Sequence, residues 1–122
     1  MTRGFAAGII NTFLDANYDD QWVQLHTGDP GAAGTANVSV GSTTRLQSTT
    51  GAAASGSKTL SSNVGPWTNG GTSETLTDIS LWSASTAGTF KVSGQLSSSQ
   101  PWASGNTFTL TTLTISFTPL AA

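Results

Sequence analysis

The sequence predicts a mainly β domain: a β-sandwich or small barrel of about six to eight strands, with one short N-terminal helix. Three observations predict it. Threonine and serine dominate, with 21 Thr and 17 Ser in 122 residues; Thr fits a pleated, half-buried surface and Ser fits turns. After residue 17 the apolar residues fall in short runs separated by Gly, Pro and Asn breakers. Only the first 16 residues carry a helical period.

The helix is expected over residues 2–16, with Thr2 as its cap. Phe5, Ile9 and Phe13 recur every four residues, flanked by Ala6, Ile10 and Leu14, which makes one broad apolar stripe. Gly4 and Gly8 weaken it by roughly 1 kcal/mol each relative to Ala. So short a helix is marginal alone and must pack on its own sheet or on a neighbouring subunit.

Residues 21–118 are expected to form the sandwich. Trp22–Leu25 is a short apolar strand. Residues 28–45, GDPGAAGTANVSVGSTTR, form a long Gly-rich loop, and loops of that length are usually functional or partly disordered. Leu46–Thr50 and Lys58–Ser62 flank GAAASGS as a loose hairpin. Residues 63–73 form a second loop, broken by G-P and N-G-G steps. Glu74–Ser83 is a strand with a phase change, because Leu76 lies on one parity and Ile79 and Leu81 on the other.

Thr89–Leu96 alternates with Phe90, Val92 and Leu96 on one face, and the following SSSQPWASGN is a turn, since Pro101 does not suit a central strand. The last run, Asn106–Thr118, puts Phe108 and Leu110 on one parity and Leu113, Ile115 and Phe117 on the other. A β-bulge at Thr111–Thr112, or a strand that changes sheets, would restore one buried face. No repeat or linker divides the chain, so 1–122 is expected to be a single domain.

Composition bounds function. Charged residues make up 8%, against about 25% in ordinary domains. Hydroxyls replace them, and a surface with little charge repulsion resists self-association weakly, so packing into an assembly is expected. Strand content alone explains the Thr richness equally well. Arg3, Arg45, Lys58 and Lys91 are scattered and the net charge is −2. Nucleic acid needs clustered cations and is not an expected partner; a basic membrane-surface helix fails on the same ground. No run of 18 apolar residues would insert in a bilayer. With no cysteine, disulfides and thiolate metal sites are excluded. The thin basic start, and the lack of a small-x-small step in the NTFLDANYDD that follows the apolar stretch, argue against a cleaved leader.

Candidate chemistry is sparse. His26, the lone histidine, lies three residues before Asp29 among many serines, but no G-x-S-x-G elbow accompanies it. Its expected role is to end a strand and bond a turn made by Asp29-Pro30-Gly31. The run D-A-N-Y-D-D from Asp15 starts like a calcium loop, yet the sixth and twelfth places hold Asp20 and His26 where Gly and a bidentate Glu are needed. GAAASGSKT resembles a phosphate loop with Ser57 inserted before Lys58 and no helix after it. No acid pair suits glycoside hydrolysis. No catalytic, cofactor or metal residue is therefore expected. Trp22 and Trp82 fall in apolar strands and are expected in the core. Trp67 and Trp102 each follow a proline; such aromatics stack on sugars or anchor interfaces, and they also fold back to close the sandwich ends, the favoured role here.

The segment order resembles a family of short tailed-phage proteins of tail-fibre or minor tail type. The resemblance rests on LHTGDPGAAGT at 25–35, Thr44-Arg45, AAASG at 52–56, LWSA at 81–84, SGQL at 93–96 and SGNTFTL at 104–110. It covers nearly the whole chain, and LHTGDPG is its most specific part. Ser80 stands where a glycine is expected, and no aromatic precedes Arg45. The resemblance implies a non-enzymatic virion protein, assembled in the bacterial host cytoplasm. Its expected partners are other virion proteins and itself, a trimer being common in such particles. The expected contact residues are Phe5, Ile9, Phe13, Asp29, Pro30, Trp67 and Trp102, on the helix, the 28–45 loop and the proline-linked tryptophans. Three rival functions stand beside it: a decoration protein on the capsid exterior, a carbohydrate-binding sandwich that recognises a host-surface glycan through Trp67 and Trp102, and a hydrolase that depends on His26.

Overall fold

A computed structural model describes residues 3–120, and within them the chain is mainly β with one short helix. Helix α1 spans Ala7–Asn17 and starts later than its period suggests. Ala6 precedes it in extended geometry with no side-chain cap; the expected cap, Thr2, lies outside the described residues. The late start has a visible cause. The Phe5 carbonyl accepts the Leu120 N–H at 2.9 Å, so residues 3–6 run beside the end of the chain instead of joining the helix.

Eight strands follow: β1 (Trp22–His26), β2 (Leu46–Gln47), β3 (Ser57–Thr59), β4 (Val64–Thr68), β5 (Glu74–Trp82), β6 (Phe90–Trp102), β7 (Thr107–Leu110) and β8 (Thr114–Ser116). They form an antiparallel sheet in the order β2-β1-β5-β6 and two ladders, β3-β8 and β4-β7. The β1–β5 register sets Val23 opposite Leu81 and Leu25 opposite Ile79. These four side chains share one face and pack with Val64 and Trp67 of β4, Leu76, Trp102 and Leu110 into the hydrophobic core. The ladders are open rather than closed into a barrel.

Several local expectations change in the folded chain. The phase change in β5 coincides with a register break between Leu76 and Asp78, and both Leu76 and Ile79 reach the core. Opposite that break Thr77 faces the whole stretch Leu96–Ser99, which loops out of β6. A second break inserts Lys91 between Phe90, opposite Trp82, and Val92, opposite Leu81. Phe90 and Val92 therefore do not share a face as alternation predicts; the extra residue turns Phe90 onto Trp82, with ring centroids 5.4 Å apart. Pro101 sits inside β6 rather than in a turn. The strand lies at the sheet edge, where a missing N–H costs no ladder bond.

The same logic converts part of the predicted 63–73 loop into β4. This strand pairs only with β7 and is irregular between Val64 and Trp67, where Pro66 falls. The 46–62 hairpin survives as a Thr50–Leu60 bridge and an Ala54–Ser57 turn, while its arms pair elsewhere, β2 with β1 and β3 with β8. The final segment changes ladders after Leu110, the second of the two solutions its parity slip allowed.

Candidate functional site

The second face of the β1–β5 pair carries Gln24, His26, Asp78 and Ser80, all buried. Polar groups at that depth need partners, and the 28–45 loop supplies them. The His26 Nδ1–H donates to the Ala36 carbonyl at 2.8 Å. A carbonyl only accepts, so Nε2 is left as an acceptor for the Ser80 hydroxyl at 2.7 Å. The Trp82 Nε1–H donates to Ser80 Oγ at 2.8 Å. Burial pushes the imidazole below its ordinary 6.5, opposed by the Ala36 carbonyl and the Asp78 charge.

A hydroxyl beside an imidazole is half of a nucleophile–base arrangement. Here His26 and Ser80 are both fully buried, the third partner is a backbone carbonyl rather than a carboxylate, and the clefts found among the described residues are lined by other side chains. The pair acts as a strut between sheet and loop.

The loop is held at further points. Asp29 Oδ1 accepts the Gly31 N–H at 2.8 Å and the Asp29 carbonyl accepts Asn37 Nδ2–H at 2.9 Å. Pro30 is buried. Gly34 has φ +73 and faces Phe90 so closely that a Cβ there would meet the ring at 2.5 Å. The Glu74 carboxylate takes the Ser39 hydroxyl and the N–H groups of Val40 and Gly41. Arg45 lies 3.9 Å over the Trp82 ring and donates to the Ala84 and Ala87 carbonyls. Of the two loop residues expected to touch partners, Asp29 builds the turn while staying exposed, and Pro30 is covered.

The acidic run that starts like a calcium loop has a resident cation. The Lys58 ammonium, 1% exposed, lies 2.6 Å from Asp15 and 3.0 Å from Asp19 and donates to the Gly51 carbonyl at 2.9 Å. Asp20 instead accepts the Thr50 N–H at 2.8 Å. Burial alone would lower the ammonium; the Asp15 and Asp19 hydrogen bonds outweigh it and hold Lys58 above its ordinary 10.5. The Lys58 hydrogen bond, with the Ala53 N–H, holds the Asp15 carboxyl below its ordinary 3.8. The clamp ties α1 to β3.

Replacing Lys58 with Met should lower the thermal midpoint at pH 7 by roughly 5–10 °C. The loss is smaller than for a wholly buried pair because the carboxylates, 46% and 59% exposed, rehydrate. The sign with pH follows from the directions. Asp15 contributes fully above 3.8 and loses its contribution as pH falls through its lowered native value; Lys58 contributes fully below 10.5 and loses its contribution as pH rises through its raised one. Melting followed by circular dichroism from pH 2 to 11 should therefore show the gap between the Lys58 variant and the parent closing at both extremes.

Trp67 and Trp102, the other expected contact residues, are core side chains at 2% and 3% exposure. Trp67 donates Nε1–H to the Thr44 carbonyl at 2.9 Å and lies 6.0 Å from Phe108. Neither ring has an exposed face on which a sugar could stack.

The helix stripe behaves differently. Ile10 and Leu14 turn inward. Phe5, Ile9 and Phe13 stay outside, where with Ile10 and Phe117 they line a groove of about 250 Å³ whose walls are wholly apolar. Phe117 meets Phe13 edge to face at 5.8 Å. Phe117 was legible only as part of the last strand; its place beside the helix needs the strand crossover. The described chain is thus a charge-poor β fold with a set of polar struts under the 28–45 loop and an apolar groove on its outside. The chain matches, over residues 6–118, the family described as podophage GP4 fiber I protein gp80. It belongs to that family of phage fibre proteins, which makes it a structural component of the virion. No curated protein matches it. No helix among the described residues is long and apolar enough to cross a membrane.

Proposed function

We propose that this chain is a non-enzymatic subunit of the minor tail or tail-fibre type, assembled in the host cytoplasm, that works by packing against other virion proteins and against itself. The observation that carries the reading is the exposed apolar groove on α1 in a chain matched to a fibre family. Apolar groups held outside a fold that has already filled its core mark an interaction surface. The groove also makes Phe5, Ile9 and Phe13 the contact residues of choice over the loop and the tryptophans.

Electron cryomicroscopy of particles made with and without this gene tests the proposal. Density on the tail that vanishes with the gene is the expected result. Density lost from the head exterior would move the chain to the decoration role, and particles identical in both preparations would overturn a virion role altogether.

A further inference from the structure

We propose that His26 is an acid-sensitive latch on residues 28–38: the neutral ring bolts that segment to the sheet, and a second ring proton frees it while the sheet stays folded.

The latch stands on a count of hydrogen bonds. Nδ1–H is committed to the Ala36 carbonyl at 2.8 Å, and Nε2 accepts the Ser80 hydroxyl at 2.7 Å. Ser80 Oγ already accepts the Trp82 Nε1–H at 2.8 Å. A proton added at Nε2 turns that nitrogen into a donor aimed at the same oxygen. The serine hydrogen must then turn away, and among the described residues it has no second acceptor. His26 and Ser80 are both fully buried, where a charge and an unmet donor are each costly.

The two sides of the latch are held unequally. His26 ends β1, which is paired with β5 from Trp22 to His26 and sends Val23 and Leu25 into the core. The segment on the other side gives nothing to that core. Residues 31–33 and 35–37 are exposed, and only Pro30 and Gly34 are buried. Besides the ring, the Thr27 N–H bond to the Asn37 carbonyl at 2.8 Å ties the segment to the strand end. Beyond it, Ser39, Val40 and Gly41 stay fastened to Glu74 and form the hinge. A stretch with so little buried apolar surface opens before a sheet does.

The charges around the ring set the direction. Burial, the largest influence, opposes the second proton, and so does Arg45; the Ala36 carbonyl favours it, as does Asp78, which stands opposite His26 in the β1–β5 register. Within the segment Asp29 is engaged by the Gly31 N–H. The closed ring therefore takes its proton less readily than a ring uncovered by opening, which has the ordinary value of 6.5. Opening is suppressed above pH 6.5 and grows as pH falls through 6.5 toward the closed-state value.

Amide hydrogen exchange of the full chain, followed by NMR at pH 7.5, 6.5 and 5.5 and corrected for intrinsic rates, reads the segment directly. The Thr27 amide reports the latch, and the amides of β5 report the sheet. Thr27 should be less protected than β5 at every pH, with an exchange rate unmoved by about 1 M urea. Its protection should fall roughly 5–10-fold between pH 7.5 and 5.5. In His26→Gln, which has no group to titrate there, that acid loss should vanish. Asp78→Asn serves if the first variant does not fold: it withdraws a charge that favours the second proton, so the ring should titrate at lower pH and the loss should extend further down. A Thr27 amide that exchanges only together with β5, an acid loss kept in His26→Gln, or a ring titration unmoved in Asp78→Asn overturns the proposal.

Discussion

Trp67→Ala should destabilise the protein by about 3–5 kcal/mol, the largest single loss expected in the chain. The ring is buried at the centre of the core, among Val64, Leu110 and the inner face of the sheet. Removing it opens a cavity between β4 and the sheet that rigid strands cannot collapse. It also removes the Nε1–H bond to the Thr44 carbonyl, which fastens the end of the 28–45 loop one residue before Arg45. A domain of this size has about 5–15 kcal/mol in hand, so the variant is expected to melt far below the parent or to fail to fold. Trp67→Phe keeps most of the volume and loses only the donor, at about 1–2 kcal/mol. Urea titrations of the two variants check the ordering; equal losses would mean that the ring volume carries little.

His26→Ala should cost about 3 kcal/mol, summing a cavity and two orphaned partners, the Ala36 carbonyl and the Ser80 hydroxyl. Its effect on pH dependence is more diagnostic. The native imidazole is held below 6.5 by burial, so the folded state resists protonation more than the unfolded chain does. The neutral ring's contribution is complete above pH 6.5 and falls as pH drops through 6.5 toward the native value, by up to about 1.4 kcal/mol per pH unit. In the parent chain, stability should decline from near neutrality downward; in His26→Ala that part of the slope should vanish. Denaturant titrations at pH 7.5, 6.5 and 5.5 read both slopes, and parallel slopes would show that His26 is not the titrating strut.

The residues that spoke clearly were those whose periodicity matched their surroundings. Val23 and Leu25 alternate because one face of β1 meets the core, and Ile79 and Leu81 answer them across the ladder. The helix stripe was legible for the same reason. The slip between Leu110 and Leu113 correctly announced a break, although not which break. Bulges hid what alternation could not express. Lys91 and the Leu96–Ser99 excursion reset the parity of β6, and no local pattern marks an extra residue whose cause is the register of a strand elsewhere. Pro66 and Pro101 misled because a proline's cost depends on whether its strand is central or at an edge, which is a property of the sheet. The tryptophans beside them followed suit, and so left the list of surface contacts.

The candidate surface divides in the same way. Phe5, Ile9 and Phe13 announce an apolar face from their four-residue spacing, and the lack of cysteine alone excludes a disulfide and a thiolate metal site. Amino-acid order also suffices for the β class and the short leading helix, because propensity and hydrophobic period are local quantities. Which side of that helix meets the core, the pairing of Lys58 with Asp15 and Asp19, and the sealing of His26 beneath the 28–45 loop all came from the folded chain. Each depends on contacts between residues far apart in sequence, and such contacts exist only after the chain has closed on itself.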